Sequence, residues 1–222
     1  MALGKLSRLQ EQVLVVLAGM TPPWTLSGGG ALAGFHTRHR DTRDLDLFWQ
    51  QQSTLGDAPE RVRERLTNAG LSISTIETHA AFTRLKVEGA GGDSVLLDLV
   101  ADPVPLAEAP RPQAVGGVNF LMDTPHQILV NKLCALLGRA EPRDLEDVLA
   151  LLDAGNDLAR ALRNCPEQDA GFSPLTLAWT VQSLPLVRLA TALGWSPDRI
   201  ETVSRFQQTF VEELLRQARP AE

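Results

Sequence analysis

Apolar and polar positions along this chain change period several times, and each change marks an element. Between residues 5 and 19 the run Val13-Leu14-Val15-Val16-Leu17-Ala18 sits among Glu11 and Gln12, a pattern that predicts an amphipathic first helix. Trp24-Thr25-Leu26-Ser27 reads as a short strand running into Gly28-Gly29-Gly30, and Ala31 to Arg38 resumes helical spacing. From Asp44 to Trp49 the chain alternates, with acids at 44 and 46 and leucines at 45 and 47, the pattern of a strand with one buried face. Ala58 to Ala69 predicts an amphipathic helix closed by Gly70. Strand-like runs follow at Leu71–Ile76, Phe82–Val87, Val95–Val100 and Val115–Leu121, with Gly89 to Asp93 as a tight turn.

Beyond Thr124-Pro125, a helix cap and first-turn proline, the pattern is helical: 125–138, 143–154, 157–164, 174–192 with a break near Pro185, and 197–217. The domain boundary reads as softest between Pro103 and Pro112, where Pro103, Pro105, Pro110 and Pro112 interrupt regular structure. The expectation is an α/β (α+β) protein: an α/β domain with a small mixed sheet over 1–122 and a helical domain over 123–222.

Composition narrows the classes. With 222 residues and 44% apolar content the chain can bury a substantial core. The net charge of −6 argues against indiscriminate binding to polyanions and confines any nucleic-acid contact to a local patch. The run at 13–18 is short, is crowded by polar residues and lacks a cleavage site, so it is not read as a secretion signal, and no stretch reaches the roughly 20 apolar residues of a membrane span. Cys134 and Cys165 have no metal-binding spacing and read as thiols of a reducing cytoplasm.

The chemistry concentrates at a few positions. Strand, glycine turn and helix start together offer backbone N–H groups to a phosphate, although Gly28-Gly29-Gly30 also fits a plain tight turn. Asp44 and Asp46 stand on one face of a strand whose other face is core. Paired carboxylates there call for a cation, although acidic residues also occur at strand ends merely for solubility. Asp98 lies in the apolar run Val95-Leu96-Leu97-Asp98-Leu99-Val100, so it demands a partner: an arginine or a shared metal. Three such carboxylates suit two magnesium ions, with manganese as a substitute. His36-Thr37-Arg38-His39-Arg40-Asp41-Thr42-Arg43 is a basic run ahead of them, either a solvated loop or a clamp on phosphates, with Arg43 nearest the aspartates in sequence. Lysine occurs only at 5, 86 and 132, and Lys132 is hemmed in by apolar helix neighbours. Asp144 and Asp147 open the next helix, where acids also simply match the helix dipole.

In order, Gly28-Gly29-x-Ala31-Leu32, His39-Arg40-x-Thr42-x-Asp44-Leu45-Asp46-Leu47-Phe48, and Asn131-Lys132-Leu133-x-Ala135-Leu136 with Arg139, Arg143-Asp144 and Asp147 resemble the AbiEii/AbiGii toxin family of nucleotidyltransferases, over residues 20–155. The resemblance implies a polymerase-β-type catalytic sheet and an enzyme that uses magnesium and an NTP to move a nucleotide onto an acceptor hydroxyl, in some relatives a tRNA end. An antitoxin partner is implied as well. By position, Gly28 and Gly29 would meet the nucleotide phosphates, Asp44 and Asp46 the metal, and Lys132 the triphosphate. Asp144 or Asp147 would be the last acidic position, Asp144 being favoured because Arg143-Asp144 matches as a pair. Asp98 as third carboxylate and Arg43 as a phosphate contact come from the residues alone. The family often carries a hydroxyl residue where this chain has Gly30, which implies one lost phosphate contact. The rival readings are a small-molecule or protein acceptor, a degenerate module that binds a nucleotide or partner without turnover, and, more distantly, a glycosyltransferase.

Overall fold

In the computed structural model, which describes residues 6–219, the first unit is built around a seven-stranded mixed sheet. The first helix, α1, forms over Arg8–Leu17 behind a capping box in which Ser7 accepts from the Gln10 N–H and the Gln10 side chain returns to the Ser7 N–H. Lys5, where the expected helix begins, lies outside the described residues. Strand β1 (Thr25–Ser27) passes directly into α2 (Gly28–Ala31), which continues as a π turn over Leu32–His36. The helix therefore starts within the glycines rather than after them. β2 (Asp44–Gln50), α3 (Ala58–Asn68), β3 (Ser72–Thr78), β4 (Phe82–Glu88) and β5 (Ser94–Asp102) follow.

The run Val115–Leu121, read above as one strand, is a hairpin: β6 (Arg111–Val115) turns at Gly116-Gly117 into antiparallel β7 (Val118–Met122). Both glycines have positive φ, 54° and 81°, which a two-residue hairpin turn of this hand requires. Pro112 is tolerated because β6 is an edge strand.

The strand order is β3-β4-β5-β2-β1-β7-β6, with β2 parallel to β5 and β1 parallel to β7, and antiparallel pairs elsewhere. Alternation puts Leu45, Leu47 and Trp49 of β2 and Leu97 and Leu99 of β5 on the face that is fully buried. α1 and α3 supply Val13, Leu14, Leu17, Val62 and Leu66, each fully buried. At roughly 1.5–3 kcal/mol per buried aliphatic side chain, this layer dominates the unit's stability. It also turns the polar positions of β2 and β5 to the opposite face.

This first compact unit ends at Thr124 and a second begins at Pro125. The second is all-helical: α4 (Pro125–Arg139), α5 (Pro142–Asp153), α6 (Leu158–Gln168), α7 (Pro174–Ser183), α8 (Leu186–Ala192) and α9 (Pro197–Gln217). Pro185 separates α7 from α8. Arg199 of α9 ties the unit together by donating to both oxygens of Glu146 at 2.6 and 2.5 Å while lying 4.0 Å over the Trp195 ring. No helix among the described residues is long and apolar enough to cross a membrane.

Candidate active site

The polar face of the sheet carries one continuous row of functional groups. Ser27 of β1 stands opposite Asp46 of β2, Asp46 opposite Asp98 of β5, and Asp98 opposite Arg84 of β4. Residues paired this way keep their Cβ atoms about 5 Å apart, so the side chains reach one another. Asp44 lies on the same face of β2 as Asp46, and both are partly exposed while the leucines between and after them are buried.

The glycine turn meets this row through its backbone. Gly28 has φ +59°, and a Cβ there would lie 2.2 Å from Asp46 Oδ2, so only glycine lets the turn approach that carboxylate. A Cβ on Gly29 would lie 3.0 Å from Thr42 Oγ1 and 3.2 Å from Arg40 Nη2, which puts the Arg40 guanidinium against the turn. Gly30 faces the other way: its Cβ would sit 3.0 Å from Leu45 Cδ2 and 3.2 Å from Leu26 Cδ1, in the apolar layer. A side chain at 30 would press on these two leucines, which would have to give by a few tenths of an ångström. The loop ahead of β2 is held by the Gln10 amide, which donates to the Thr42 carbonyl at 3.1 Å, and by the Thr42 hydroxyl, which donates to the Asp44 carbonyl at 3.2 Å.

Arg43 is exposed and lies just ahead of β2, its carbonyl accepting from the Leu96 N–H at 3.2 Å. Arg40 is the residue brought to the glycines. Arg43 is the nearest arginine to the aspartates in sequence, and Arg40 is the one the turn brings against Gly29.

Asp98 finds an arginine. Arg84 Nε donates to Oδ1 at 2.7 Å and Nη2 to Oδ2 at 2.6 Å, a two-point pair on a carboxylate that is 9% exposed. Among the described residues no three His, Cys, Asp or Glu side chains converge as a ready metal cluster. Asp44 and Asp46, on one face of β2 with the Gly28 backbone against Asp46, carry the carboxylate oxygens that hard divalent cations take as ligands.

Asp123 is a residue the sequence reading missed. It directly follows β7, its N–H donates to the Leu26 carbonyl at 3.0 Å, and it comes alongside Ser27. It is fully buried, and neither carboxylate oxygen meets a donor at bonding geometry. Burial pushes its pKa up to about 6, against a pull downward from the nearby Ser27 hydroxyl and a further push from Asp102. His36, at the end of the π turn, bonds the Asp123 carbonyl through Nε2 at 2.9 Å. The only sequence signal for Asp123 was its place beside the Thr124-Pro125 helix cap.

In the helical unit, Lys132 of α4 is buried between Asp144 and Asp147 of α5, its Nζ 2.8 Å from an oxygen of each. Arg139 adds two donations to Asp144, at 2.7 and 2.9 Å. Burial alone would lower the Lys132 pKa, but Asp147 and Asp144 outweigh it and hold the ammonium above its ordinary value. Burial likewise pushes Asp144 up, and Arg139 with Lys132 more than reverses it. Both acids grip the lysine, so Asp144 and Asp147 belong to one cluster.

A protein-family model described as "Nucleotidyl transferase AbiEii toxin, Type IV TA system" matches residues 12–216. No curated protein matches the chain. Among solved structures, the MenT4 nucleotidyltransferase toxin from Mycobacterium tuberculosis H37Rv superposes with a TM-score of 0.61 at 15% identity, covering 95% of this chain and 85% of that one. A putative nucleotidyltransferase from H. pylori superposes with a TM-score of 0.52 at 19% identity, covering 97% and 100% respectively. At these identities the structures establish a shared fold.

Proposed function

The chain belongs to the AbiEii family of nucleotidyltransferase toxins, and from that premise we propose that it moves a nucleotide from an NTP to an acceptor hydroxyl at an RNA end, a tRNA being the leading candidate, in a magnesium-dependent reaction. The observation that carries this reading is the contact between the glycine turn and Asp46, which brings phosphate-binding amides and a metal-binding carboxylate within one side-chain width.

Asp44 and Asp46 would hold a magnesium ion, or manganese in its place. That ion, when bound, supplies Lewis acidity and lowers the pKa of the attacking hydroxyl. The chain's own groups do the rest. The Gly28 and Gly29 amides bind the nucleotide phosphates, and Arg40, with Arg43 next to the aspartates in sequence, balances charge that develops on them. Lys132, in its cluster with Asp144 and Asp147, is proposed for the triphosphate on the family resemblance alone. The acceptor hydroxyl attacks the α-phosphorus in line, the bond to the bridging oxygen breaks, and pyrophosphate leaves with its electron pair. The basic stretch from Arg38 to Arg43 suits an RNA backbone on an otherwise acidic protein. An antitoxin partner and a cytoplasmic location complete the proposal, the family being one of toxin–antitoxin systems.

The purified chain, incubated with magnesium, each α-labelled NTP and total RNA or lysate, is expected to label RNA. Asp44→Asn/Asp46→Asn should remove the label by at least about a thousandfold while the protein stays folded. Retained transfer in that double variant would overturn the assignment. Label on protein or on a metabolite would move the acceptor to another class, and no label with magnesium-dependent NTP binding would favour a binding module.

A further inference from the structure

The Arg84–Asp98 pair lies in the same row as the proposed metal ligands, and its geometry decides what Asp98 has left to offer. The guanidinium fork covers both carboxylate oxygens, at 2.7 and 2.6 Å. Arg84 is itself steadied by the Phe82 ring, 5.6 Å below its guanidinium carbon. Asp98 faces Asp46 on one side and Arg84 on the other in strict register. A planar fork bonded at two points fixes orientation as well as charge, which a lysine in its place would not do. Asp44 and Asp46 also act on the Arg84 charge, in the direction that keeps it protonated.

We propose that Arg84 is a positioning residue that withholds Asp98 from the metal site, so that the nucleotide-free protein binds a divalent ion through Asp44 and Asp46 alone. The inference rests on the metal-dependent reading above. The row then carries three carboxylates and one fixed guanidinium, which balances the charge of Asp98 without an ion. Each Asp98 oxygen already carries one donation from Arg84, so Asp98 is a weakened donor to a cation until the fork moves, which makes the pair an internal threshold on cation binding.

Manganese binding to the intact chain, followed by electron paramagnetic resonance without nucleotide, tests this. Arg84→Gln should tighten manganese affinity by about tenfold, because a third carboxylate joins the donor set. Asp98→Asn in the otherwise native chain should leave affinity within about twofold, and Arg84→Gln/Asp98→Asn should return to the native value. Weakening by Asp98→Asn as severe as that by Asp46→Asn would overturn the proposal, because Asp98 would then already be a ligand. So would an unchanged affinity in folded Arg84→Gln. Should Arg84→Gln fail to fold, the Asp98→Asn comparison decides alone, with Arg84→Lys as the conservative check that a point charge without the fork weakens the hold. If Asp44→Asn/Asp46→Asn binds manganese as well as the native chain, the metal reading itself fails, a result distinct from either of these.

Discussion

Asp123 is the residue whose chemistry is least compatible with its surroundings. Its carboxyl is fully buried, and its pKa rises from 3.8 to about 6, with burial the first cause. Because the folded value exceeds the unfolded one, the native state favours the protonated form. That contribution is complete below about pH 3.8 and is lost as pH rises through about 6, so above pH 6 the fold carries a penalty of up to about 3 kcal/mol. Asp123→Asn keeps the shape and removes the charge. It should therefore be more stable than the native chain by about 2 kcal/mol in urea at pH 8 and should converge with it near pH 4. Equal stability at both pH values would mean that Asp123 ionises without cost. The contrast with Asp98 shows where sequence reading stops. A carboxylate in an apolar run announces that it needs a partner, but naming Arg84 takes the register of β4 against β5, which joins residues 14 apart and is fixed by the whole sheet. Asp123 sends no such signal, because its burial comes from strands and turns distant in the chain.

The glycine turn shows what one element can reveal. Alternation at Asp44–Trp49 and the glycine run were legible because strand period and turn composition are local. Which glycine faces the chemistry was not, since that depends on how α2 leaves β1. The structure separates the two outer positions. Gly28→Ala puts a methyl group where Asp46 Oδ2 stands and needs a positive φ, so it should displace the carboxylate and abolish transfer, with about 1 kcal/mol or more of strain. Gly30→Ser restores the family's usual hydroxyl but crowds Leu45 and Leu26. It should cost about 1–3 kcal/mol of stability and leave NTP affinity unimproved. Calorimetric NTP titration with thermal melts of both variants checks the pair. Tighter NTP binding by Gly30→Ser would show that the hydroxyl reaches the phosphates after all. The hairpin at Gly116-Gly117 carries the same lesson, because Val115–Leu121 is apolar enough to read as one strand and only the positive φ of both glycines splits it.

At the scale of the whole chain, strand periods give way to helical ones near Thr124, and the two compact units are Met1–Thr124 and Pro125–Glu222. The buried charge cluster of the helical unit was not visible, because Lys132, Asp144 and Asp147 come from two helices that only packing brings together. That cluster carries two candidate duties, holding α4 to α5 and meeting a triphosphate, and variants can tell them apart. Lys132→Met removes the cation that Asp147 and Asp144 share, while Arg139 still donates to Asp144, so the intact chain should lose about 3–5 kcal/mol in urea, read by far-UV circular dichroism. Lys132→Met/Asp144→Asn/Asp147→Asn removes both buried carboxylates as well and leaves Arg139, 56% exposed and open to water, so it should recover much of that loss, since buried ion pairs replaced as a set are often near neutral. Transfer activity in the triple variant then isolates the second duty. A stable triple variant that transfers nucleotides normally would assign the cluster to structure alone. A stable one that fails, with its NTP affinity lowered, would make Lys132 a phosphate contact whose two aspartates hold it charged and oriented.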